Sequence, residues 1–250
     1  MRCLKLRELG FGVLGLAVSG SATGQDLGTP YFNQALGGMI SNQIAITQAG
    51  IGRSLTREAR RGSNLSSLPD ADNTVADAAT LSFQPSLNAR RNNYARFVAK
   101  TRAVDPAGAD GLAANLKLDP ITLMKSQLAR VGLRVDNVAD AYTVYWVEAW
   151  QAVHGVSGDT SRATAQAVRA QAARAISATP AFANATAAQK QEFAESYLVQ
   201  AVLVGAAKEQ AGGDPAKLAQ VSAAVEKGAR AAGLDLRAMT LTDEGFRPAG

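Results

Sequence analysis

The strongest constraint on what this chain can fold into is residues 136–155, which hold both tryptophans and the single histidine of the 250-residue sequence. Val138, Tyr142, Trp146 and Trp150 recur every fourth residue, with Tyr145, Ala149 and Val153 beside them. That spacing is the 3.6-residue period of a helix burying one wide apolar face. Asp136 is placed to cap the start of this helix and Gly155 to end it. A large aromatic side chain buries about 150–250 Å². A helix carrying Tyr142, Tyr145, Trp146 and Trp150 is therefore expected at the centre, with the other helices packed around it.

The rest of the chain is punctuated in the same language. Asp105-Pro106, Asp119-Pro120, Thr179-Pro180 and Asp214-Pro215 each set a capping side chain before a proline, which at the first helical position loses nothing by lacking an N–H. Thr186 and Gln189 have capping-box spacing, and Gly132, Gly155, Gly212 and Gly233 supply stops. Between these signals the apolar residues keep helical spacing. Leu87, Tyr94, Phe97 and Val98 mark one helix, and Ile121, Met124, Leu128 and Val131 a second. The aromatic helix is third, Ala165, Val168, Ala172 and Ile176 give a fourth, residues 193–207 a fifth, and Leu218, Val221, Val225 and Ala232 a sixth. No stretch alternates with period two, so the expected fold class is all-α, a compact bundle of about six helices over residues 81–250. The later helices are rich in alanine and offer little bulk. Tyr142, Trp146, Trp150, Phe193 and Tyr197 are expected to anchor the core.

Upstream, Arg2, Lys5 and Arg7 precede the apolar run 11–18 and the small residues 19–24, the order of a secretory signal peptide over residues 1–24. The run is far short of the roughly 18–20 residues that span a bilayer. Cleavage is expected after Ala22 or Gly24, with export to the periplasm or the extracellular medium. It removes Cys3, the sole cysteine, and with it any disulfide, thiolate nucleophile or cysteine metal ligand. Residues 25–62 read as an amphipathic basic arm, with Leu36, Ile40 and Ile44 on one edge. Arg53, Arg57, Arg60 and Arg61 form a basic side that offers weak contact with an anionic surface, a solvated face being the plainer reading. Residues 63–80 are short and polar without period, a flexible linker. The formal charge of +5 includes Arg2, Lys5 and Arg7 against Glu8 in the leader, so the remainder carries about +3, no argument for nucleic acid.

The run Asn137-Val138-Ala139-Asp140-Ala141-Tyr142 with Trp146 and Trp150, Gly132-Leu133 before it, and Leu241-Thr242-Asp243-Glu244-Gly245-Phe246 near the end resemble a bacterial exported family known only as domain of unknown function 6683. The resemblance runs from about Phe83 to Phe246. It brings no activity or catalytic residue, and it implies that residues 81–250 form one unit to which the arm is an addition.

The chemistry readable from the residues is sparse. His154 is the lone histidine, and with no mature cysteine it has only carboxylates as companions, a poor set for zinc. At a helix end it is expected to cap carbonyls and to complement the dipole. No Gly-x-Ser-x-Gly elbow proposes a serine for a triad. Asp140, Glu148 and Glu195, near Tyr142, Tyr145, Trp146 and Trp150, are the best carboxylate set for a glycan-directed hydrolase. Asp140 and Glu148 are two turns apart, about 12 Å along the axis, too far for either standard geometry unless one works with Glu195. Asp140 also suits the first turn as a dipole partner, and Glu148 suits a surface. Gly37-Gly38 and Gly212-Gly213 lack a P-loop pattern. Arg90, Arg91, Arg96, Lys100 and Arg102 around Tyr94 and Phe97 come nearest to a nucleic-acid face, and export argues against that use. The expectation is a non-enzymatic exported helical domain that binds a macromolecule or the cell envelope, with no cofactor, metal or catalytic residue. The alternative is a carboxylate-dependent hydrolase using Asp140, Glu148 or Glu195.

Overall fold

Capping chemistry sets where most of the helices begin. In the computed structural model, which describes residues 80–249 except 104, 180, 181 and 183, Ser86 accepts from Ala89 N at the start of α1 (Leu87–Arg102) and Asp105 from Gly108 N at the start of α2 (Pro106–Leu116). Helix α3 is Pro120–Arg130 and α4 is Val138–His154. Ser161 caps α5 (Arg162–Ser177), Thr186 and Gln189 form the capping box of α6 (Ala187–Ala211), and Asp214 caps α7 (Pro215–Ala231). A 3-10 turn, Leu236–Ala238, leads into a hairpin of β1 (Met239–Thr242) and β2 (Gly245–Pro248), paired antiparallel with Thr242 opposite Gly245. The expected leader and arm, with Arg53, Arg57, Arg60 and Arg61, and the expected linker up to residue 79 lie outside the described residues.

Several local expectations are corrected. Among the described residues there are seven α-helices; the additional one is α2, whose Asp105-Pro106 start was legible but whose alanines and glycines give no apolar period. Asn137, not Asp136, caps α4, accepting from Ala139 N at 2.9 Å and Asp140 N at 3.2 Å. Asp136 is held instead by both arms of Arg134 at 2.8 Å. Asp119 makes no cap bond: its backbone is left-handed, φ 49° and ψ 66°, a region that costs most side chains energy and that aspartate tolerates better than most. Thr179 donates its hydroxyl back to Ala175 O, while Pro180 lies outside the described residues. Leu87, one of the apolar residues that marked α1, is 63% exposed.

Helix α4 is central to a degree its period understated, because 15 of its 17 residues are buried and only Trp150 and His154 reach outward. Its rings build one cluster with α6. Tyr142 and Tyr145 lie 5.0 and 5.3 Å from Tyr197, Trp146 lies 5.7 and 4.8 Å from the same two tyrosines, and Phe193 stands 4.9 Å from Tyr197. These separations and tilts are those that aromatic quadrupoles favour. Tyr142 and Tyr145 face Tyr197 while Glu148 meets Lys208 further along, so α4 and α6 run in the same direction, and α5 packs on α4. Residues 81–83 lie against the entry to α4, with Phe83 N donating to Asp136 O and Val138 N to Leu81 O, each at 3.0 Å.

The hairpin is carried by side chains from α4 and α5. Gln171 donates to Phe246 O at 3.0 Å and accepts from Phe246 N at 2.9 Å, so its amide does the work of a third strand. Gly245 is required there: its φ is +93°, and a β-carbon on it would sit 2.5 Å from Gln171 Oε1. Trp150 donates its indole N–H to Met239 O at 2.8 Å.

Candidate functional site

The three acids singled out by sequence are all buried, each beside a cation from another helix. Asp140 is 1% exposed, is bonded by Arg169 of α5, and accepts from Arg134 N at 2.8 Å. Burial raises its carboxyl above the ordinary range, more than Arg169 lowers it. Glu148 is not a surface residue; it is 4% exposed and accepts from Lys208 Nζ of α6 at 2.9 Å. Its position facing α6 buries the carboxylate, which the half-buried Lys208 ammonium balances.

Glu195 has no exposed surface and accepts three hydrogen bonds, from Arg90 Nε at 2.8 Å, Asn93 Nδ2 at 2.6 Å and Gln191 Nε2 at 2.9 Å. Arg90 continues outward, its Nη1 donating to Asp119 at 3.1 and 3.3 Å and to Thr122 Oγ1 at 3.0 Å. Tyr94 and Thr122 also donate to Asp119, at 2.9 and 2.5 Å. Gln191 extends the seam to Ser86, donating to its carbonyl and accepting from its N–H. This ionic seam ties α1, α3 and α6 together and accounts for the left-handed backbone at Asp119, whose carboxylate takes bonds from Arg90, Tyr94 and the Thr122 hydroxyl and none from the backbone N–H groups that open α3. Burial alone would raise the Asp119 carboxyl, but the hydrogen bonds from Thr122 and Tyr94 and the charge of Arg90 hold it below its ordinary value. Burial, and then Asp119, pushes the Tyr94 phenol upward. The Arg90 guanidinium is disfavoured by burial but raised overall by Glu195.

The structure therefore does not assemble Asp140, Glu148 and Glu195 into one site. Their partners lie on α5, α6 and α1 respectively. Sequence reasoning missed those partners. Gln191 four residues before Glu195 was a legible same-face pair, but Arg90 lies 105 residues away and read as one of the bases that come nearest to a nucleic-acid face. Nor do the aromatic anchors form an exposed platform: Tyr142, Trp146, Phe193 and Tyr197 are buried, and Trp150 is partly so.

His154 also departs from expectation. It does not cap its own helix; its Nε2–H donates to Leu236 O at 2.9 Å and its ring stacks on Trp150 at 4.5 Å. Trp150 and His154, one turn apart, thus hold the start of the C-terminal hairpin to α4. Asp243, at the hairpin tip, accepts from Ser161 and Thr164, both at 2.6 Å, and these hydroxyls lower its carboxyl. Among the described residues no group of three or more histidine, cysteine, aspartate or glutamate side chains is placed to hold a metal ion. No helix of the described residues is long and apolar enough to cross a membrane.

The acids and the buried aromatic anchors are thus engaged in packing one helix against another, and Trp150 and His154 in holding the C-terminal hairpin. A family model described as a family of unknown function (DUF6683) matches residues 29–248. The match begins within the arm, so the arm is not an addition to the family. No curated protein and no solved structure matches the chain.

Proposed function

The chain belongs to that family of unknown function, and on this premise we propose that it is a non-enzymatic helical binding module that is exported and contacts a macromolecule or the cell envelope. One observation carries the preference over a hydrolase: each of Asp140, Glu148 and Glu195 is buried against a cation from a neighbouring helix. A general acid or base needs its proton within reach of substrate, directly or through one water. A carboxylate surrounded by three internal donors, as Glu195 is, offers no such approach. Export rests on the basic, apolar and small-residue order of residues 1–24, and the periplasm or the extracellular medium is the proposed location.

The reading is tested by crosslinking the chain in its own envelope and recovering what it holds, alongside an assay for release of sugars from envelope polysaccharide. Recovery of a stoichiometric partner with no sugar release is the expected result. Sugar release that disappears in a folded Glu195→Gln, Asp140→Asn or Glu148→Gln variant replaces the binding module with the hydrolase.

A further inference from the structure

Three leucines that a folded chain ordinarily hides lie together where the chain enters the helical domain. Four large hydrophobic residues are exposed among the described residues, and three of them surround the Asp119 turn: Leu87 at 63%, Leu118 at 46% and Leu123 at 47%. Leu118 precedes Asp119 in the chain, Leu123 N donates to Asp119 O at 3.2 Å, and Leu87 lies one turn before Arg90, whose guanidinium reaches Asp119 and Thr122. The fourth, Val156, stands past the far end of α4. A single exposed apolar side chain needs no explanation, whereas a group of them marks a surface that something covers.

The entry point is fixed beside this group. Ser86, next to Leu87, exchanges two hydrogen bonds with the Gln191 amide, and the neighbouring Lys190 donates from Nζ to Thr80 O. Thr80 and Ser86 are thus both held at the start of α6, and the chain that precedes Thr80 joins the domain close to Leu87. That preceding chain contains a segment of unusual composition. Residues 27–52 carry no charged side chain, yet they include Tyr31, Phe32, Leu36, Ile40, Ile44 and Ile46. Segments that remain solvated are poor in apolar residues and rich in charge; this one is the reverse, and it needs a surface to cover it. Leu36, Ile40 and Ile44 are spaced so that one turn after another would bring them onto a single edge. The family match begins at residue 29, so this segment and the helical domain belong to one family unit.

We propose that the segment around Leu36, Ile40 and Ile44 docks on Leu87, Leu118 and Leu123 of its own chain. The inference goes beyond the binding-module reading and does not depend on it. Reach is no obstacle: residues 63–79 alone span at most about 60 Å when extended, more than twice the length of the 17-residue α4, about 25 Å. Size favours the chain's own segment over a separate molecule. Stable association between separate proteins buries about 1,200–2,000 Å², and a patch built on three leucines is small beside that. A tethered segment needs far less, because its connection holds it at an effective concentration on the order of millimolar. The docked segment is uncharged and the patch is leucine, so the contact should be insensitive to salt.

The test is hydrogen exchange on the full chain, read by mass spectrometry. Amides of residues 36–46 should exchange about tenfold or more slower than in a synthetic peptide of that sequence, equally at low and high protein concentration and at low and high salt. In Leu118→Ser/Leu123→Ser they should exchange at the peptide's rate while the amides of α4 keep their wild-type protection. Crosslinking is the second measurement. In Cys3→Ser/Ile40→Cys/Leu123→Cys a short bismaleimide should join the two cysteines within one chain, and in Cys3→Ser/Ile40→Cys/Val156→Cys it should not. Peptide-rate exchange in wild type overturns the proposal, as does protection that the serine variant leaves intact or a Leu123→Cys crosslink no more frequent than the Val156→Cys one. Protection that appears only at high concentration, with crosslinks between chains, assigns the leucines to a second copy and overturns it as well. A serine variant that loses protection in α4 has unfolded, and the crosslink then decides.

Discussion

The aromatic seam between α4 and α6 and the ionic seam among α1, α3 and α6 both bury their central side chains, yet they hold their helices by different physics. In the first, Tyr142, Tyr145, Trp146 and Tyr197 pack edge to face or tilted at 4.8–5.7 Å, and the contribution scales with area and tolerates imprecise geometry. In the second, Arg90 and Glu195 are stripped of water while Asp119, at the outer end, stays partly exposed, and only bonds such as the 2.8 Å contact from Arg90 Nε to Glu195 offset the penalty of burying the inner pair. A dry aromatic interface loses in proportion to what is removed from it. An ionic one is stable when whole and strongly destabilised when one partner is missing. The candidate catalytic acids fall in the second class, which is why residue type alone made them look functional.

The largest effect that separates the two seams is expected from Trp146→Ala. Trp146 is 1% exposed, so the substitution removes transfer energy and opens a cavity, at a cost of about 3–5 kcal/mol. Urea unfolding checks it, and the wild-type indole emission should be blue-shifted. A loss within about 0.5 kcal/mol, as for a surface substitution, would mean that α4 is not the centre of the fold.

Intermediate effects should come from the outer end of the ionic seam. Asp119→Asn keeps the left-handed backbone but gives up the charge that faces Arg90, at an expected cost of about 1 kcal/mol at neutral pH. The pH dependence has a definite sign. The Asp119 carboxyl is held below its ordinary value, so its contribution is present above the usual carboxylate range, near 4, and is lost as the pH falls through the lowered value. Unfolding free energy measured from about pH 6 down to about pH 2 should therefore fall more steeply in wild type than in Asp119→Asn. Parallel curves would remove Asp119 from the account. Asp119→Gly separates the backbone from the bonds: it relieves the positive φ and loses Arg90, Tyr94 and Thr122 together.

The smallest effect belongs to Tyr142→Phe. The Tyr142 hydroxyl and the Trp146 indole N–H are buried without a hydrogen bond of good geometry, and burial pushes the phenol upward against a weak opposing contact from Trp146. Replacing a hydroxyl that gains little from its surroundings should change stability by less than about 1 kcal/mol. A loss well above that would reveal a polar link inside the aromatic seam.

What was legible in the sequence follows from the same division. Tyr142, Trp146, Phe193 and Tyr197 announce themselves by bulk at helical spacing, and Asp105, Thr186, Asp214, Gly155 and Gly212 by local capping chemistry, since each signal lies within a few residues of its effect. The partners of Glu195, Glu148 and Asp140 stand 105, 60 and 29 residues away, and nothing local distinguishes Arg90 or Lys208 from a solvated base. Asp119 carried the local signature of a cap and was taken over by a tertiary contact. The hairpin escaped notice because each strand is four residues long and one flank is supplied by the Gln171 side chain instead of by a third strand.

The most direct test of the claim that the candidate acids serve the fold is a double-mutant cycle on Arg90 and Glu195, with Arg90→Met, Glu195→Leu and the pair, followed by urea unfolding. Each single variant should cost about 3–5 kcal/mol, because it leaves a buried charge or its bonds without a partner. The double variant should cost less than the sum by about 2 kcal/mol or more. Small and additive costs, with loss of an enzymatic activity in Glu195→Leu, would contradict it and return Glu195 to the role of a catalytic acid.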